Sequence, residues 1–198
     1  MVATTNLKKL KEIRELLADL PVELSCLKDF PAVREIEETG KTFEENARLK
    51  ALGYAAQTGL LTLGEDSGLC CDALNGAPGV QSARFSGAGK NDGENNRKLL
   101  ELLENVPDEK RTAYYESVVV LAEPGKVIGT ANGRVHGLIT RRPCGTGGFG
   151  YDPLFLFPPF DRTFAQVPGE MKHGVSHRGK ALAETKSMLR RYLLTKKD

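Results

Sequence analysis

Apolar residues recur along the chain at helical spacing in some segments and in short continuous runs in others, which predicts a mixture of helices and strands. Helical spacing covers residues 7–19, after a short apolar start at residues 1–3 that predicts a truncated strand. A capping box opens a second predicted helix at Thr42, which ends at Gly59. The pattern predicts a last helix over residues 176–194.

The predicted strands lie between these helices. A short apolar run at residues 60–64 predicts a buried strand that ends at Glu65 and Asp66. Two long apolar-rich segments, residues 112–122 and 127–140, flank a Glu-Pro-Gly turn and predict an antiparallel hairpin. Weaker signals predict a strand at residues 22–27, a helix capped by Asp92, and a strand at residues 154–157.

Composition narrows the class of protein. The 198 residues include 28 basic and 26 acidic side chains and are 40% hydrophobic, which is typical of one ordinary soluble domain over residues 1–198. No apolar stretch approaches the roughly 18–20 residues of a membrane-spanning helix and no secretory signal is visible, so we expect a cytoplasmic protein with no membrane partner. Cys26, Cys70, Cys71 and Cys144 lack zinc spacing, and we expect them to be reduced thiols in the core.

A mostly polar segment marks the point where the chain enters the first predicted helix. It consists of Thr4, Thr5, Asn6, Leu7, Lys8 and Lys9. The free N–H groups and the positive dipole end of a helix N-terminus attract phosphate, and Lys9 would add a point charge. The chain contains no Walker P-loop string, which argues against P-loop kinases and GTPases. The alternative interpretation is a helix cap with solvated lysines.

Three pairs of adjacent carboxylates are candidates for metal binding: Glu37 with Glu38, Glu44 with Glu45, and Glu65 with Asp66. Magnesium takes one or two carboxylates together with water and substrate phosphates, and a carboxylate near such an ion can activate water. Asp66 is the strongest candidate because the apolar run before it and the small Ser67-Gly68 pair after it predict a sheltered site. Helix-dipole complementation and surface solvation are the alternatives for the other two pairs.

Two further segments are candidates for ligand binding. Residues 144–153 combine four glycines with Phe149, Tyr151 and Asp152, and a ring such as Phe149 either stacks on a nucleobase or packs in the core. A basic cluster around the start of the last helix opposes the helix dipole, which favours an anionic or oxo-bearing ligand over a simple Ser176 cap. The cluster comprises Lys172, His173, Ser176, His177 and Arg178.

Taken together and in this order, these strings resemble the inosine triphosphate pyrophosphatase family, which hydrolyses deaminated purine nucleoside triphosphates such as ITP, dITP and XTP. The matching strings run from residue 3 to residue 182. They include Ala3-Thr4-Thr5-Asn6 with Lys9 and Glu12, Glu37-Glu38-Thr39-Gly40, Thr42-Phe43-Glu44-Glu45-Asn46-Ala47, Glu65-Asp66-Ser67-Gly68-Leu69, Gly76-Ala77-Pro78-Gly79-Val80, Gly147-Gly148-Phe149-Gly150-Tyr151-Asp152-Pro153, and Lys172 with Ser176-His177-Arg178. The sequence departs from the family at Thr5, where glycine is common, and at Glu65, where aspartate is common.

The resemblance implies an α/β fold with a mixed central sheet flanked by helices, two lobes with a substrate cleft, dependence on Mg²⁺ and a homodimer. It implies that Asp66 and Lys9 are catalytic, with Asp66 as general base, and that Glu37 and Asp66 bind the metal. The implied substrate contacts are Thr4, Thr5, Asn6, Leu7, Lys8 and Lys9 for the triphosphate, Ser67, and Phe149, Gly150, Tyr151, Asp152, Lys172, His177 and Arg178 around the base. The implied reaction releases a nucleoside monophosphate and pyrophosphate.

Three alternatives remain open from the sequence. A Maf-like pyrophosphatase would act on pyrimidine or modified nucleotides. A nucleic-acid-binding protein would use the basic end of the last helix, namely Lys186, Arg190, Arg191, Lys196 and Lys197, although the formal net charge of only +2 argues against it. A nucleotide-binding regulator without catalysis is disfavoured by the presence of Lys9, Glu37 and Asp66.

Overall fold

The computed structural model describes residues 1–196 and gives that part of the chain a five-stranded sheet together with α-helices. The helices are α1 (Leu7–Leu16), α2 (Phe43–Thr58), α3 (Asp92–Leu102), α4 (Gly169–Val175) and α5 (His177–Thr195). The strands are β1 (Thr62–Cys71), β2 (Thr112–Glu123), β3 (Lys126–Ile139), β4 (Phe155–Phe157) and β5 (Arg162–Thr163). The strand order is β1-β2-β3-β4-β5, and β3–β4 and β4–β5 are antiparallel pairs. Val2 adds parallel bridges to Cys26 and Leu63, so the predicted α/β class with a mixed sheet is confirmed.

Local signals explain where several elements begin and end. The Thr42 hydroxyl accepts a hydrogen bond from the Glu45 N–H, and the Glu45 carboxylate accepts one from the Thr42 N–H, which completes the predicted capping box of α2. Gly59 ends this helix with a φ of 71°, a left-handed conformation that favours glycine. The predicted hairpin is formed by β2 and β3, whose turn contains Gly125 at a φ of 76°.

The two predicted strands nearest the N-terminus are reduced to isolated bridges in the structure. Val2 and Cys26 pair with each other, but neither belongs to a longer ladder. The Asp29 carboxylate accepts a hydrogen bond from the Cys26 N–H at 2.7 Å, and this side-chain contact starts a 3-10 turn where the apolar pattern predicts a strand. This turn therefore prevents strand pairing from continuing beyond Cys26.

Three other elements differ from the sequence-based expectation. β1 extends beyond its predicted end, so that Glu65 and Asp66 lie inside the strand, where cationic partners offset the cost of burying their charges. α3 is capped by Asn91, whose side chain accepts from the Glu94 N–H, and not by Asp92. The pattern predicts no separate α4, which ends immediately before α5 begins.

Unit 1 is one of two units into which the chain divides. It comprises Met1–Asp66, Ser117–Gly133 and the chain from His177 onward. Its core joins apolar side chains of α1, β1, β2, β3 and α5, and α1 packs against α5. Ile13, Val119 and Leu182 are fully buried in this core.

Unit 2 comprises Ser67–Glu116 and Arg134–Ser176. Its core contains Leu69, Leu99 and an aromatic group in which the ring centroids of Tyr115 and Phe155 lie 4.7 Å apart. β1, β2 and β3 each contribute residues to both units. The expectation of a single domain over residues 1–198 stays a prediction.

The cysteines largely follow the expectation from composition. All four are free thiols; Cys26, Cys70 and Cys71 are buried and Cys144 is partly exposed. Burial raises the pKa of the Cys71 thiol to about 12, so this thiol is protonated at neutral pH. Within residues 1–196, no helix is both long enough and apolar enough to span a bilayer.

Candidate active site

The start of α1 is capped by side-chain hydrogen bonds. The Asn6 side chain accepts hydrogen bonds from the N–H groups of Lys8 and Lys9 at 3.0 and 3.2 Å, and the Thr4 hydroxyl accepts from the Asn6 N–H at 3.1 Å. The segment therefore forms a helix cap, as the alternative interpretation predicts. Thr5, Asn6, Leu7 and Lys8 are exposed, whereas the Lys9 side chain is mostly buried. Lys9 takes part in the buried charge network of unit 1.

Glu65 is the centre of that network. Lys9 Nζ lies 3.2 Å from Glu65 Oε2, and Arg178 Nη2 lies 2.8 Å from Glu65 Oε1. The Ser117 hydroxyl donates to the same Oε1 at 2.9 Å, and Arg178 Nη1 donates to the Glu12 carboxylate. β1, β2, α1 and α5 thus each supply a charged or polar side chain to one cluster.

Electrostatics keep this cluster ionised despite its burial. Burial by itself would raise the pKa of Glu65, but the charges of Arg178, Lys9 and Lys50 outweigh it and hold that pKa well below its usual range. Burial opposes the charge of Arg178, which is 1% exposed, yet Glu65 and Glu12 raise its pKa above the usual value. Arg178 and Glu65 are therefore a charged pair, and each compensates the buried charge of the other.

Asp66 occupies a second, adjacent cluster formed with α2. Asn46 Nδ2 donates to Asp66 Oδ2 at 3.3 Å, and Lys50 Nζ donates to Asp66 Oδ1 at 3.2 Å. The same Lys50 ammonium lies 2.9 Å from Glu38 Oε2. Two carboxylate oxygens from distant parts of the chain thus meet at one buried cation.

The pKa of Asp66 moves in the direction that suits a proton acceptor. Burial raises it, and the charges of Lys50 and Lys9 offset only part of that rise. Burial would lower the pKa of Lys50, but Asp66 and Glu38 outweigh burial and raise it, so the ammonium stays charged. The site therefore holds a carboxylate of increased proton affinity beside a fixed positive charge.

The carboxylates of this cluster suit a divalent cation. Glu38 and Asp66 already direct oxygens to one positive charge, and hard oxygen ligands are those that Mg²⁺ prefers. No group of three or more His, Cys, Asp or Glu side chains gathers at a single point in residues 1–196, so an ion here would complete its shell with water and phosphate. Glu37 is exposed, and its predicted role as a metal ligand stays a prediction.

Unit 2 holds the predicted base-binding residues of the glycine-rich loop. Asp152 Oδ2 accepts hydrogen bonds from the Phe149 N–H at 2.9 Å and from Lys172 Nζ at 2.7 Å. Lys172 Nζ also lies 5.1 Å from the Phe149 ring centroid, within cation–π range. Phe149 is partly exposed, whereas Asp152 and Lys172 are buried. Phe149 is thus a partly exposed ring beside a buried ion pair.

The remaining predicted substrate residues have different surroundings. The Tyr151 ring belongs to the core of unit 2, and its hydroxyl donates to the Ser82 carbonyl at 2.8 Å. Ser67 is half-buried in β1. His177 is buried at the first position of α5 in unit 1. The assignment of these residues to substrate contact stays a prediction.

Lys50 is the main residue that sequence reasoning missed. The buried stripe of α2 contains Asn46 and Lys50 among apolar side chains, namely Phe43, Ala47, Ala51, Tyr54 and Ala55. A lysine on the buried face of a helix breaks the usual pattern, since an unpaired buried charge is costly. The sequence signal for these two residues was their spacing of four, which places polar side chains on the same helix face. In the structure both contact Asp66.

Comparison with known proteins decides the family. The model of the Ham1 family matches residues 1–188. The chain belongs to the Ham1 family. Its relatives include the "dITP/XTP pyrophosphatase" of Geobacter sulfurreducens, 52% identical with 96% of this chain and 95% of the relative covered, and that of Desulforamulus reducens, 50% identical with the same coverage. The Ham1 protein from Coxiella burnetii has a solved structure that matches with a TM-score of 0.87 and 42% identity over 96% of this chain and 97% of that one. The resemblance inferred from the motifs is confirmed.

Proposed function

We propose that this Ham1 protein is a nucleoside triphosphate pyrophosphatase that hydrolyses ITP, dITP and XTP to the nucleoside monophosphate and pyrophosphate. The observation that carries this proposal is the Asp66 cluster, in which a carboxylate of raised pKa lies beside the Lys50 ammonium. The names of relatives that are 50–52% identical to the chain support the same reaction and the same purine substrates.

Asp66 is the proposed general base. It accepts a proton from the water that attacks the α-phosphorus, and the adjacent Lys50 and Asn46 hold its carboxylate in place. Lys9, with the rest of residues 4–9, binds the triphosphate and stabilises the negative charge that develops on the phosphate oxygens. Glu65 positions Lys9, because the two side chains form an ion pair at 3.2 Å.

The proposed metal is Mg²⁺, and Asp66 together with Glu37 or Glu38 would hold it. When bound, the ion supplies positive charge at the phosphate oxygens and orients them for attack. The proposed contribution of the chain itself is the carboxylate set, since Glu38 and Asp66 both contact the Lys50 ammonium in unit 1 and their oxygens therefore lie close together. A homodimer and a cytoplasmic location remain predictions from the family resemblance and the composition.

Recognition of the base is assigned to Phe149 and its neighbours. A partly exposed ring beside the Lys172–Asp152 ion pair suits stacking on a purine, with polar groups available for its edge. The Lys172 ammonium beside the ring suits the 6-oxo group of inosine and xanthosine as a donor, whereas the Arg178 guanidinium is buried and held by Glu65 and Glu12. The 6-amino group of adenine is itself a donor and cannot accept a hydrogen bond from the Lys172 ammonium, which disfavours ATP.

The other candidate functions receive less support. The family match and the activity for which the relatives are named do not favour a Maf-like enzyme. At the basic end of α5, Lys186 and Arg190 pair with Asp19, and Lys196 pairs with Glu123, so much of the positive charge is neutralised. Lys197 lies outside the described residues. Retention of a sheltered Asp66 and a charged Lys50 disfavours a regulator that has lost catalysis.

A substrate panel tests the reaction and the base preference together. Purified protein is incubated with Mg²⁺ and with ITP, XTP, GTP, ATP or UTP, and the released products are identified. We expect pyrophosphate from ITP and XTP, and much slower release from ATP. Orthophosphate as the product would contradict cleavage between the α- and β-phosphates, and a preference for UTP would favour the Maf-like alternative.

A single substitution tests the base. Asp66→Asn should lower kcat for ITP by about 10³-fold, because general base catalysis typically contributes about 10²–10⁴-fold. Glu44→Gln is the matched control, since it also converts a carboxylate to an amide, on the exposed first turn of α2. Parental turnover by Asp66→Asn would exclude this residue as the base.

A further inference from the structure

Both backbone groups of one loop residue, Gly150, are held by side chains of α3. The Gly150 N–H donates to Asp92 Oδ2 at 2.9 Å, and the Gly150 carbonyl accepts from Asn96 Nδ2 at 3.1 Å. Asp92 and Asn96 are four residues apart in α3 and therefore lie on the same face of the helix. Two side chains one turn apart thus fix the peptide groups on either side of Gly150, within unit 2.

The helix that carries these two side chains is itself firmly anchored. Leu99 and Leu103 at its C-terminal end are fully buried in the core of unit 2. On its N-terminal half, the Asn95 side chain accepts from the Ser86 N–H and donates to the Ala83 carbonyl. α3 is consequently a rigid element from which a loop can be positioned.

The loop needs such support because its conformation is unusual. Gly148 and Gly150 have φ values of 69° and 62°, in the left-handed region, so Phe149 lies between two residues whose backbone is intrinsically permissive. On one side, the Phe149 N–H is fixed by Asp152, which is held in turn by Lys172. On the other side, the contacts to Gly150 come from α3. The orientation of the Phe149 ring therefore depends on hydrogen bonds from both sides.

Packing does not explain the amide at position 96. Asn96 Oδ1 is buried and has no hydrogen-bond partner among residues 1–196, while its Nδ2 donates to Gly150. A buried acceptor without a partner is unfavourable, and an apolar residue of similar size would avoid that cost. The benefit of asparagine at this position is its contact with the Gly150 carbonyl.

We propose that Asp92 and Asn96 are positioning residues that hold Phe149 in the orientation in which it stacks on the purine base. This inference rests on the proposed function, since it assigns the Phe149 loop to the base. Neither residue touches the phosphates or the reacting atoms in this scheme. Their effect is to order the loop before the nucleotide arrives, which lowers the entropic cost of binding.

Enzyme kinetics give the first test. Asp92→Ala should raise KM for ITP about tenfold, equivalent to about 1.4 kcal/mol and within the range of a base–aromatic contact. kcat should change by less than about twofold, because uniform binding energy affects KM alone. Asn96→Ala should act in the same direction. Asp92→Asn should behave like the parental protein, because its amide oxygen still accepts from the Gly150 N–H.

Glu94→Ala is the matched control. Like Asp92, Glu94 is an acidic residue in the first turn of α3, so its loss has a similar effect on the helix dipole. It is exposed and makes no contact with Gly150 in the structure. A rise in KM in Glu94→Ala equal to that in Asp92→Ala would overturn the proposal, and so would an unchanged KM in both Asp92→Ala and Asn96→Ala.

A fluorescence measurement tests the positioning role without any turnover. The chain contains no tryptophan, so Phe149→Trp introduces a single reporter into the loop. Adding Asp92→Ala to this reporter should raise the acrylamide quenching constant by about twofold, as expected when an ordered segment becomes mobile, and Glu94→Ala should not change it. Equal quenching in all three proteins would contradict the proposal. This result is independent of the substrate, so it remains decisive even if ITP proves not to be hydrolysed and the proposed function fails.

Discussion

At the scale of single residues, Glu65 and Asp66 are neighbours in β1 whose environments move their pKa values in opposite directions. Burial affects both, but Glu65 faces Arg178 and Lys9 at short range, whereas the cations near Asp66 compensate burial only in part. Successive residues of a strand point to opposite faces, which allows adjacent carboxylates to have different partners. The same chemical group is thus held ionised at one position and has an increased proton affinity at the next.

Glu65 is a residue whose loss should be costly to stability. Glu65→Gln removes the negative charge that compensates the buried Arg178, and breaking a buried pair costs about 3–5 kcal/mol. We expect the free energy of unfolding in urea at pH 7 to fall by about 3 kcal/mol, since Glu12 still contacts Arg178. Glu116→Gln, which disrupts the half-exposed pair with Arg134, should cost less than about 1 kcal/mol. Equal costs for the two variants would contradict this account.

The pH dependence of stability should differ between the parental protein and Glu65→Gln. Because the pKa of Glu65 is lower in the folded state than its value of 4.5 in the unfolded chain, its contribution is complete above pH 4.5 and is lost as the pH falls below that value. The parental protein should therefore lose stability more steeply than Glu65→Gln on acidification below pH 4.5. Urea unfolding at several pH values measures the two slopes, and parallel slopes would exclude Glu65 as the source.

At the scale of elements, β3 approaches the start of α5 closely enough to exclude any side chain. A Cβ on Gly133 would lie 2.0 Å from the His177 carbonyl oxygen and 2.6 Å from the Ala181 nitrogen, and backbone atoms cannot move aside. This approach sets the position of the helix start that carries Arg178. Glycine at position 133 is therefore a requirement of helix–strand packing in unit 1.

Gly133→Ala should destabilise the protein by about 2–3 kcal/mol, in the range observed for overpacked cores. The displaced α5 start should also weaken the Arg178–Glu65 contact and lower kcat/KM. Gly129→Ala is a control on the same strand, where the new Cβ would meet only the flexible Met188 thioether, so its cost should stay below about 1 kcal/mol. Thermal or urea unfolding of both variants measures the difference, and equal stability would refute the close-packing argument.

At the scale of the whole molecule, each unit has its own apolar core, yet neither is continuous in sequence. β1, β2 and β3 contribute residues to both, so each core is completed by strands that the other core also uses. Shared strands predict cooperative unfolding, because loss of a strand from one core removes part of the support of the other.

Substitutions in the two cores test this cooperativity. Leu69→Ala in unit 2 and Leu182→Ala in unit 1 each truncate a fully buried side chain and should each cost about 2–5 kcal/mol. Both should lower the midpoint of a single urea transition followed by circular dichroism and by tyrosine fluorescence. A second transition that moves with only one of the variants would show that the units unfold independently.

The sequence by itself determined the features that depend on local signals. The capping box at Thr42 and Glu45 places the start of α2, and the alternating segments around Gly125 place the β2–β3 hairpin. The motifs also identified the family. These predictions succeeded because hydrogen bonds between near neighbours and characteristic strings of residues are readable without the fold.

Only the tertiary structure decided which charges are buried and which residues compensate them. Arg178 and Glu65 are 113 residues apart in the sequence. Lys50, which the motifs did not identify, contacts both Glu38 and Asp66 from α2. β1 continues through Glu65 and Asp66 because these distant cations offset the cost of burying two carboxylates. Burial energy depends on everything within a few ångströms of a group, and that neighbourhood exists only after the chain has folded.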